Sequence, residues 1–442
     1  MEKELVILGG GPAGLSSAFF AEENNLSYSL VEASDEFGGN CRTIQKGDFL
    51  FDTGAHRWHD KFPEITGIIK KLLGDDLLKI NVPSQIFHEG KWIDFPLAPL
   101  DLLKKLGMKE FGRAFVKLLS ARAAFWNKND NFESLVRNKY GDVIAEKFII
   151  NYSQKLWGLP ADELSSKVSG SRLKGLNLKT FIIESMKGRE YRTAHLDGTF
   201  HYPRKGFGQI FKAMEKKLTE GRLKRKCVIT KILHEKGVVK AVEANNSRIF
   251  KGNIFINTLP LGTAVKLLMP SAPKEVKDIV SDLQYRQLRL AVIMLHKDKF
   301  SENASVYFPD ADVPFTRIYE PKNRSSFLAP ADKTCIVVEV PCKKDDLWWK
   351  LEDEQFTRAI LKVLIKKSLI KEEQVISSFA YSVNDAYPVL EIDFEEKSQK
   401  LIKYLSEFEN FYLCGRNALF NYTHTHEIIR DSKTLIEQIK NK

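Results

Sequence analysis

The first strong pattern along the chain is a short apolar run at residues 5–8 that ends in a glycine cluster. From residue 15 to 22 the apolar positions fall at helical spacing, and a second short run, 27–31, stops at Glu32. This reads as strand, tight turn, helix, strand. Helical spacing returns over 62–78, two short strands follow at 85–88 and 91–95, and a basic helical pattern covers 99–127. Further helices are predicted at 132–140 and 143–152. After residues 199–208 come a helix to Leu218 and strands at 228–234, 238–243 and 254–258. Apolar runs at 290–295, 305–308, 335–340 and 375–380 predict a sheet interrupted by a helix at 353–370. The chain ends in a strand near 411–414, a turn and a helix.

The glycine cluster carries the first chemistry. Gly9, Gly11 and Gly14 keep the spacing of the dinucleotide fingerprint, with Pro12 and Ala13 opening the helix. The first glycine makes the turn, the second lets backbone approach a pyrophosphate, and the third lets helix and strand pack closely. The helix N-terminus offers free N–H groups and partial positive charge to phosphate. Glu32 stands 18 residues after Gly14, where an acid accepts hydrogen bonds from an adenosine ribose, with Ala33 beside it. Gly38, Gly39, Asn40 and Arg42 follow, then Gly54, Ala55 and His56.

This succession resembles the FAD-binding N-terminus of the amine oxidase, protoporphyrinogen oxidase and UDP-galactopyranose mutase superfamily. Further matches occur in order and are most similar to the mutases. They are Gly90-Lys91-Trp92-Ile93-Asp94-Phe95-Pro96, Lys155-Leu156-Trp157 within 151–160, Arg172, Tyr202-Pro203, Tyr307-Phe308-Pro309-Asp310, Arg317, Tyr387-Pro388 and Gly415-Arg416 with Tyr422. The resemblance implies FAD as cofactor, working in the reduced form, with NAD(P)H as a candidate reductant. It implies cofactor contacts from the N-terminal residues named above and from Val228, Gly415 and Arg416. It implies that Arg172, Tyr307, Arg317, Tyr387, Arg416 and Tyr422 bind a nucleoside-diphosphate sugar, and that His56, Arg317 and Arg172 serve catalysis. Arginine's planar donors and tyrosine hydroxyls suit a diphosphate. The chain departs from the family at Asn417-Ala418 and at Thr423-His424-Thr425-His426-Glu427, which leaves the sugar and the reaction open. The alternative is hydride removal from an amine, a porphyrinogen or a polyene.

Composition changes this picture little. The 442 residues suffice for about two or three domains. The expected fold is α/β: a discontinuous Rossmann-like FAD-binding domain (1–85, 196–270, 386–442) interleaved with an α+β substrate domain (86–195, 271–385) of mixed sheet and helices. A net charge of +11 favours anionic partners. The lysines are spread out and no nucleic-acid motif occurs, so a small phosphorylated substrate is expected rather than nucleic acid. The five cysteines are scattered without C-x-x-C spacing, so neither a disulfide framework nor a metal site is expected. No apolar run approaches the roughly 20 residues of a membrane span. Membrane contact is not expected, and a cytoplasmic location is the default.

Overall fold

The computed structural model describes residues 3–97, 102, 104, 105, 107, 108, 112, 131–169 and 199–442. The helix expected over 99–127 falls mostly outside the described residues, and Arg172 lies outside them altogether.

Two sheets organise the chain. The first is parallel throughout and is centred on strand β1 (Glu4–Leu8). β1 pairs on one side with β2 (Ser27–Val31), which carries Leu223–Lys224 beyond it. On its other side lies Ile254–Asn257, followed by Phe411–Leu413. The return of residues 254–257 and 411–413 to the N-terminal sheet is the expected one. Leu5 to Leu8 are fully buried, as a strand covered on both faces requires. Helix α1 (Pro12–Glu23) lies on one face and packs through Phe19 and Phe20 in the same core as Ile429 and Ile436 of the C-terminal helix, Thr425–Asn441.

The second sheet has seven strands in the order Val375–Pro388, Tyr285–Leu295, Thr334–Cys342, Arg317–Tyr319, Ser305–Tyr307, Ser84–His88, Lys91–Phe95. All pairs are antiparallel except Ser305–Tyr307 with Ser84–His88. The α/β class with a mixed second sheet therefore stands.

Several boundaries differ from expectation for physical reasons. The helix predicted over 62–78 ends at Leu73, because Gly74 takes a positive φ of 54°. Residues Leu77–Ile80 become a strand paired with Phe200–Pro203. The strand predicted from residue 290 begins at Tyr285, since Arg286, Gln287 and Arg289 are buried within it and break the apolar pattern. The two helices predicted at 132–140 and 143–152 are one helix kinked at Gly141, a wide turn over Ala145–Ile150, and a helix Asn151–Trp157. Among the described residues no helix is long and apolar enough to cross a membrane.

The junction of β1 and α1 is the tightest point of the fold. A Cβ on Gly14 would stand 1.8 Å from the Gly9 carbonyl oxygen, so the helix can cross the strand end only with glycine there. A Cβ on Gly67, within helix Pro63–Leu73, meets nothing within 4 Å. Gly14→Ala is expected to lower the melting temperature and shed bound flavin. Gly67→Ala is expected to raise stability by about 0.5–1 kcal/mol through reduced chain entropy. Thermal denaturation and flavin absorbance of the two purified variants check the contrast.

Candidate active site

The two sheets meet over one cavity of about 1240 Å³, larger than most single-ligand pockets. Its floor is the β1–α1 turn. Gly9, with φ of 95°, turns the chain, and its N–H donates to the Val31 carbonyl at 2.8 Å. A Cβ on Gly11 would find only Gly39 Cα, at 3.9 Å, so backbone lies open at that point. α1 carries no side-chain cap and no acid in its first turn, leaving its first N–H groups to a ligand. Three glycine-bearing segments converge here: a Cβ on Gly39 would press on Gly11 at 2.9 Å, and one on Gly415 would meet Ala13 at 2.6 Å. At the end of β2, Glu32 accepts from Gly10 N–H at 2.6 Å and from the amide and hydroxyl of Ser34 at 2.8 and 2.9 Å. Bare helix N-terminus, glycine floor and carboxylate at the strand end fit a dinucleotide such as FAD.

Of the predicted cofactor residues, Gly9, Gly11, Pro12, Ala13, Gly39, Asn40, Gly54, Ala55, His56, Gly415 and Arg416 line the cavity. Gly14, Glu32, Ala33, Gly38, Arg42 and Val228 do not. Gly38 and Arg42 sit one layer behind it. The Gly38 amide donates to the Gly10 carbonyl at 2.9 Å, and Arg42 donates to the Tyr381 hydroxyl at 3.0 Å. Ala33 is exposed. Val228 departs most from its expected place. It is 52% exposed, and its amide donates to Asn245 Oδ1 at 2.9 Å. Asn245 and Asn246, both at positive φ, form the turn that carries this acceptor.

His56 stacks on Phe207 with centroids 5.0 Å apart, and its Nε2–H donates to the Asn40 carbonyl at 3.0 Å. Burial, with Arg416 nearby, pulls its pKa down to about 3. The ring is a neutral donor and not a proton carrier near neutrality. Beneath it, buried Arg324 donates to the His56 carbonyl at 3.1 Å and lies over the Tyr319 ring. Buried Asp52 accepts from Thr43 at 2.6 Å, from the Phe207 amide at 2.9 Å and from the Tyr202 hydroxyl. This network holds the Phe207 platform in place.

Tyr307, Arg317, Tyr387, Arg416 and Tyr422 all line the same cavity, although they span more than a hundred positions of sequence. Tyr307 contacts Phe95 and Tyr152, with centroids at 4.9 and 5.9 Å. Trp157 sits edge-on to both Tyr387 and Tyr422. Arg416 lies over the Tyr422 ring and donates Nε–H to the Thr423 carbonyl at 2.9 Å. Burial, with Glu339 and Tyr422 close by, raises the Tyr387 pKa far above the usual phenol range, so its hydroxyl stays protonated and can donate.

Sequence reading missed the partner of Arg317. Glu339, 2% exposed, accepts from Arg317 Nε–H at 2.8 Å and Nη2–H at 2.9 Å, and from the Ala55 amide at 3.1 Å. Burial disfavours the guanidinium charge, yet the carboxylate beside it outweighs that and holds Arg317 firmly protonated. The signal was present: Glu339 is the one acid in the apolar strand Thr334–Cys342. The departures at the C-terminus also find places. His424 lines the cavity, whereas His426 is buried behind it, stacked on His424 at 5.5 Å.

The neutral state of His56 has a thermodynamic sign. Between pH 6.5 and about 3 an unfolded histidine binds a proton that native His56 refuses, so stability falls as pH drops through that window. His56→Gln keeps the side-chain donor and is expected to flatten the fall. Melting temperatures of wild type and variant from pH 7 to 4 check it.

The match to the family described as flavin containing amine oxidoreductase covers residues 12–425. Coproporphyrinogen III oxidase of Bacillus subtilis (strain 168) is 26% identical over 292 residues, 60% of this chain and 62% of that protein. The chain thus spans less than two thirds of the length of the first curated relatives it matches. A crystal structure of reduced UDP-galactopyranose mutase superposes with a TM-score of 0.86 at 19% identity, covering 99% of this chain and 96% of that one. Putrescine oxidase bound to putrescine gives a TM-score of 0.67 at 14% identity, with 100% of both chains covered. At such identities the likeness is one of fold. From a dinucleotide cradle inside a family match that runs almost end to end, it follows that the chain belongs to the flavin containing amine oxidoreductase family and is a flavoenzyme with FAD as cofactor.

Proposed function

We propose that this flavoenzyme acts on a nucleoside-diphosphate sugar as a mutase, with the flavin reduced and no net oxidation of substrate. One observation carries the reading: Tyr307, Arg317, Tyr387, Arg416 and Tyr422 line the cavity whose floor is the glycine cradle. Arginines and protonated phenols are the donors a leaving diphosphate needs. Arg172 belongs to the same proposal. The reduced-mutase fold is compatible with it.

When bound, reduced FAD supplies the nucleophile for such a reaction. The chain's own residues do the rest. Arg317, oriented by Glu339, and Arg416, oriented by the Thr423 carbonyl, balance charge on the departing diphosphate. Tyr307, Tyr387 and Tyr422 donate to its oxygens. Neutral His56 keeps the 54–56 loop beside the cofactor through Asn40. Residues 1–85, 196–270 and 386–442 hold FAD in this reading, and 86–195 and 271–385 hold substrate. NAD(P)H is the proposed electron donor.

A second reading has its own observation. Much of the cavity wall is apolar, including Ile86, Phe95, Leu97, Ile144, Phe148 and Leu156. Charge on Arg317 is also already balanced by Glu339. Both features favour an oxidoreductase that takes hydride from an apolar substrate, the class of the porphyrinogen oxidase relatives.

Dithionite-reduced protein incubated with UDP-galactose and other nucleotide sugars decides between them. The mutase reading expects a ring-isomerised sugar nucleotide. It also expects Arg317→Ala to weaken UDP binding about tenfold or more, a loss of roughly 1.4 kcal/mol or more. Turnover of the oxidised protein with a porphyrinogen, amine or polyene, without added reductant and with no response to any nucleotide, supports the second reading instead.

A further inference from the structure

Lys155 stands in the segment Asn151–Trp157 that the sequence marks as family-like, yet it does not line the cavity. Its surroundings are unusual. Its Nζ, with three N–H groups to share, lies within hydrogen-bond distance of four backbone carbonyls, those of Phe308 at 2.6 Å, Asp310 at 2.8 Å, Val313 at 3.1 Å and Phe315 at 3.3 Å. All four belong to the loop between strands Ser305–Tyr307 and Arg317–Tyr319. Tyr307, Pro309 and Arg317 face the cavity from that hairpin, and Tyr307 and Arg317, at its two ends, are directly paired.

The helix bearing Lys155 is itself fixed from the other side. Buried Arg286, on the strand Tyr285–Leu295, donates to the carbonyls of Leu156 and Lys155, both at 3.1 Å. Gly158 leaves room for that guanidinium, since a Cβ there would stand 2.3 Å from its Nη1. The same helix presents Tyr152, Leu156 and Trp157 to the cavity. Charged groups around the ammonium are Asp310 and Asp312 on the loop and Lys367 beyond helix Asp353–Lys366. Asp310 is itself held by His88 and by the Glu89 amide at the end of Ser84–His88. An arrangement of four carbonyl oxygens around one point is a socket for a cation, and without positive charge in it the carbonyl dipoles repel one another.

We propose that Lys155 is a positioning residue: its ammonium fills a carbonyl socket in the 308–315 loop and thereby sets Tyr307 and Arg317 against Tyr152 and Trp157 across the cavity. Its effect on nucleotide binding rests on the reading given under Proposed function. Its effect on the loop does not.

The test uses full-length, FAD-loaded protein, with Lys155→Ala, Lys155→Gln and Lys155→Arg compared with wild type. Hydrogen exchange reads the loop. In Lys155→Ala the amides of Phe308 and Thr316, which bond to Thr316 and Glu339 carbonyls, are expected to exchange about tenfold faster or more, while β1 is unchanged. Lys155→Arg, which keeps the charge, is expected to stay near wild type. UDP affinity is expected to fall about tenfold in Lys155→Ala and to recover with ethylammonium chloride, but not with tetramethylammonium chloride at equal ionic strength. Tetramethylammonium carries charge but no N–H to donate to the carbonyls, so recovery with both salts would overturn the proposal. Unchanged loop exchange in Lys155→Ala would overturn it whatever UDP does. A loosened loop in a protein that binds no UDP even as wild type would uphold the positioning role and defeat the nucleotide reading. If Lys155→Ala does not accumulate, Lys155→Gln, uncharged but with two donors, carries the same comparison.

Discussion

Everything in this molecule is arranged around the close approach of backbone to backbone at the N-terminus of α1. Gly14 lies against the Gly9 carbonyl, Gly39 against Gly11, and Gly415 against Ala13. Three stretches, at residues 9–14, 39 and 415, can meet there only because Gly14, Gly39 and Gly415 carry no side chain at the contact. Their meeting leaves uncapped helix N–H groups facing a cavity and brings the C-terminal helix, with Ser432 bonded to the Ala13 carbonyl, onto the opposite flank. The parallel sheet supplies the rigid base, and α1 supplies the electrostatic pull on phosphate.

The second sheet answers this cradle with a wall whose charges are balanced in place. Glu339 is the link. Its carboxylate binds Arg317 of the second sheet and the amide of Ala55 in the 54–56 loop, so one buried acid ties two walls of the cavity. Paired buried charges carry a desolvation cost that only good geometry offsets, and breaking such a pair is expensive. The same logic recurs at Asp52, with its three donors, and at Lys155, with its four acceptors. Polar groups in this interior mark the places where chain segments must hold one register.

What the sequence reveals depends on how local the cause is. The glycine cradle, Glu32, the return of residues 254–257 and 411–413, and the mixed second sheet all follow from apolar runs and turn residues that are contiguous. The break at Gly74 was missed because the apolar spacing runs on through Leu77 and Leu78, and only the glycine's positive φ ends the helix. The start of the strand at Tyr285 was missed because Arg286 and Arg289 are buried by partners distant in sequence. Tyr307, Arg317, Tyr387, Arg416 and Tyr422 do share one cavity, yet nothing local announces that Arg317 arrives there already paired. Val228, a cofactor contact only by family resemblance, lies outside the cavity with its amide bonded to the Asn245 side chain.

The most direct measurement is an experimental electron-density map of the dithionite-reduced, flavin-loaded protein soaked with UDP. The account predicts an adenosine ribose beside Glu32, the flavin over the glycine cradle, and a second diphosphate between Arg317, Tyr307 and Tyr387 in the cavity above it. A flavin seated in the cradle with no density at that wall, or UDP bound at another surface, would contradict it.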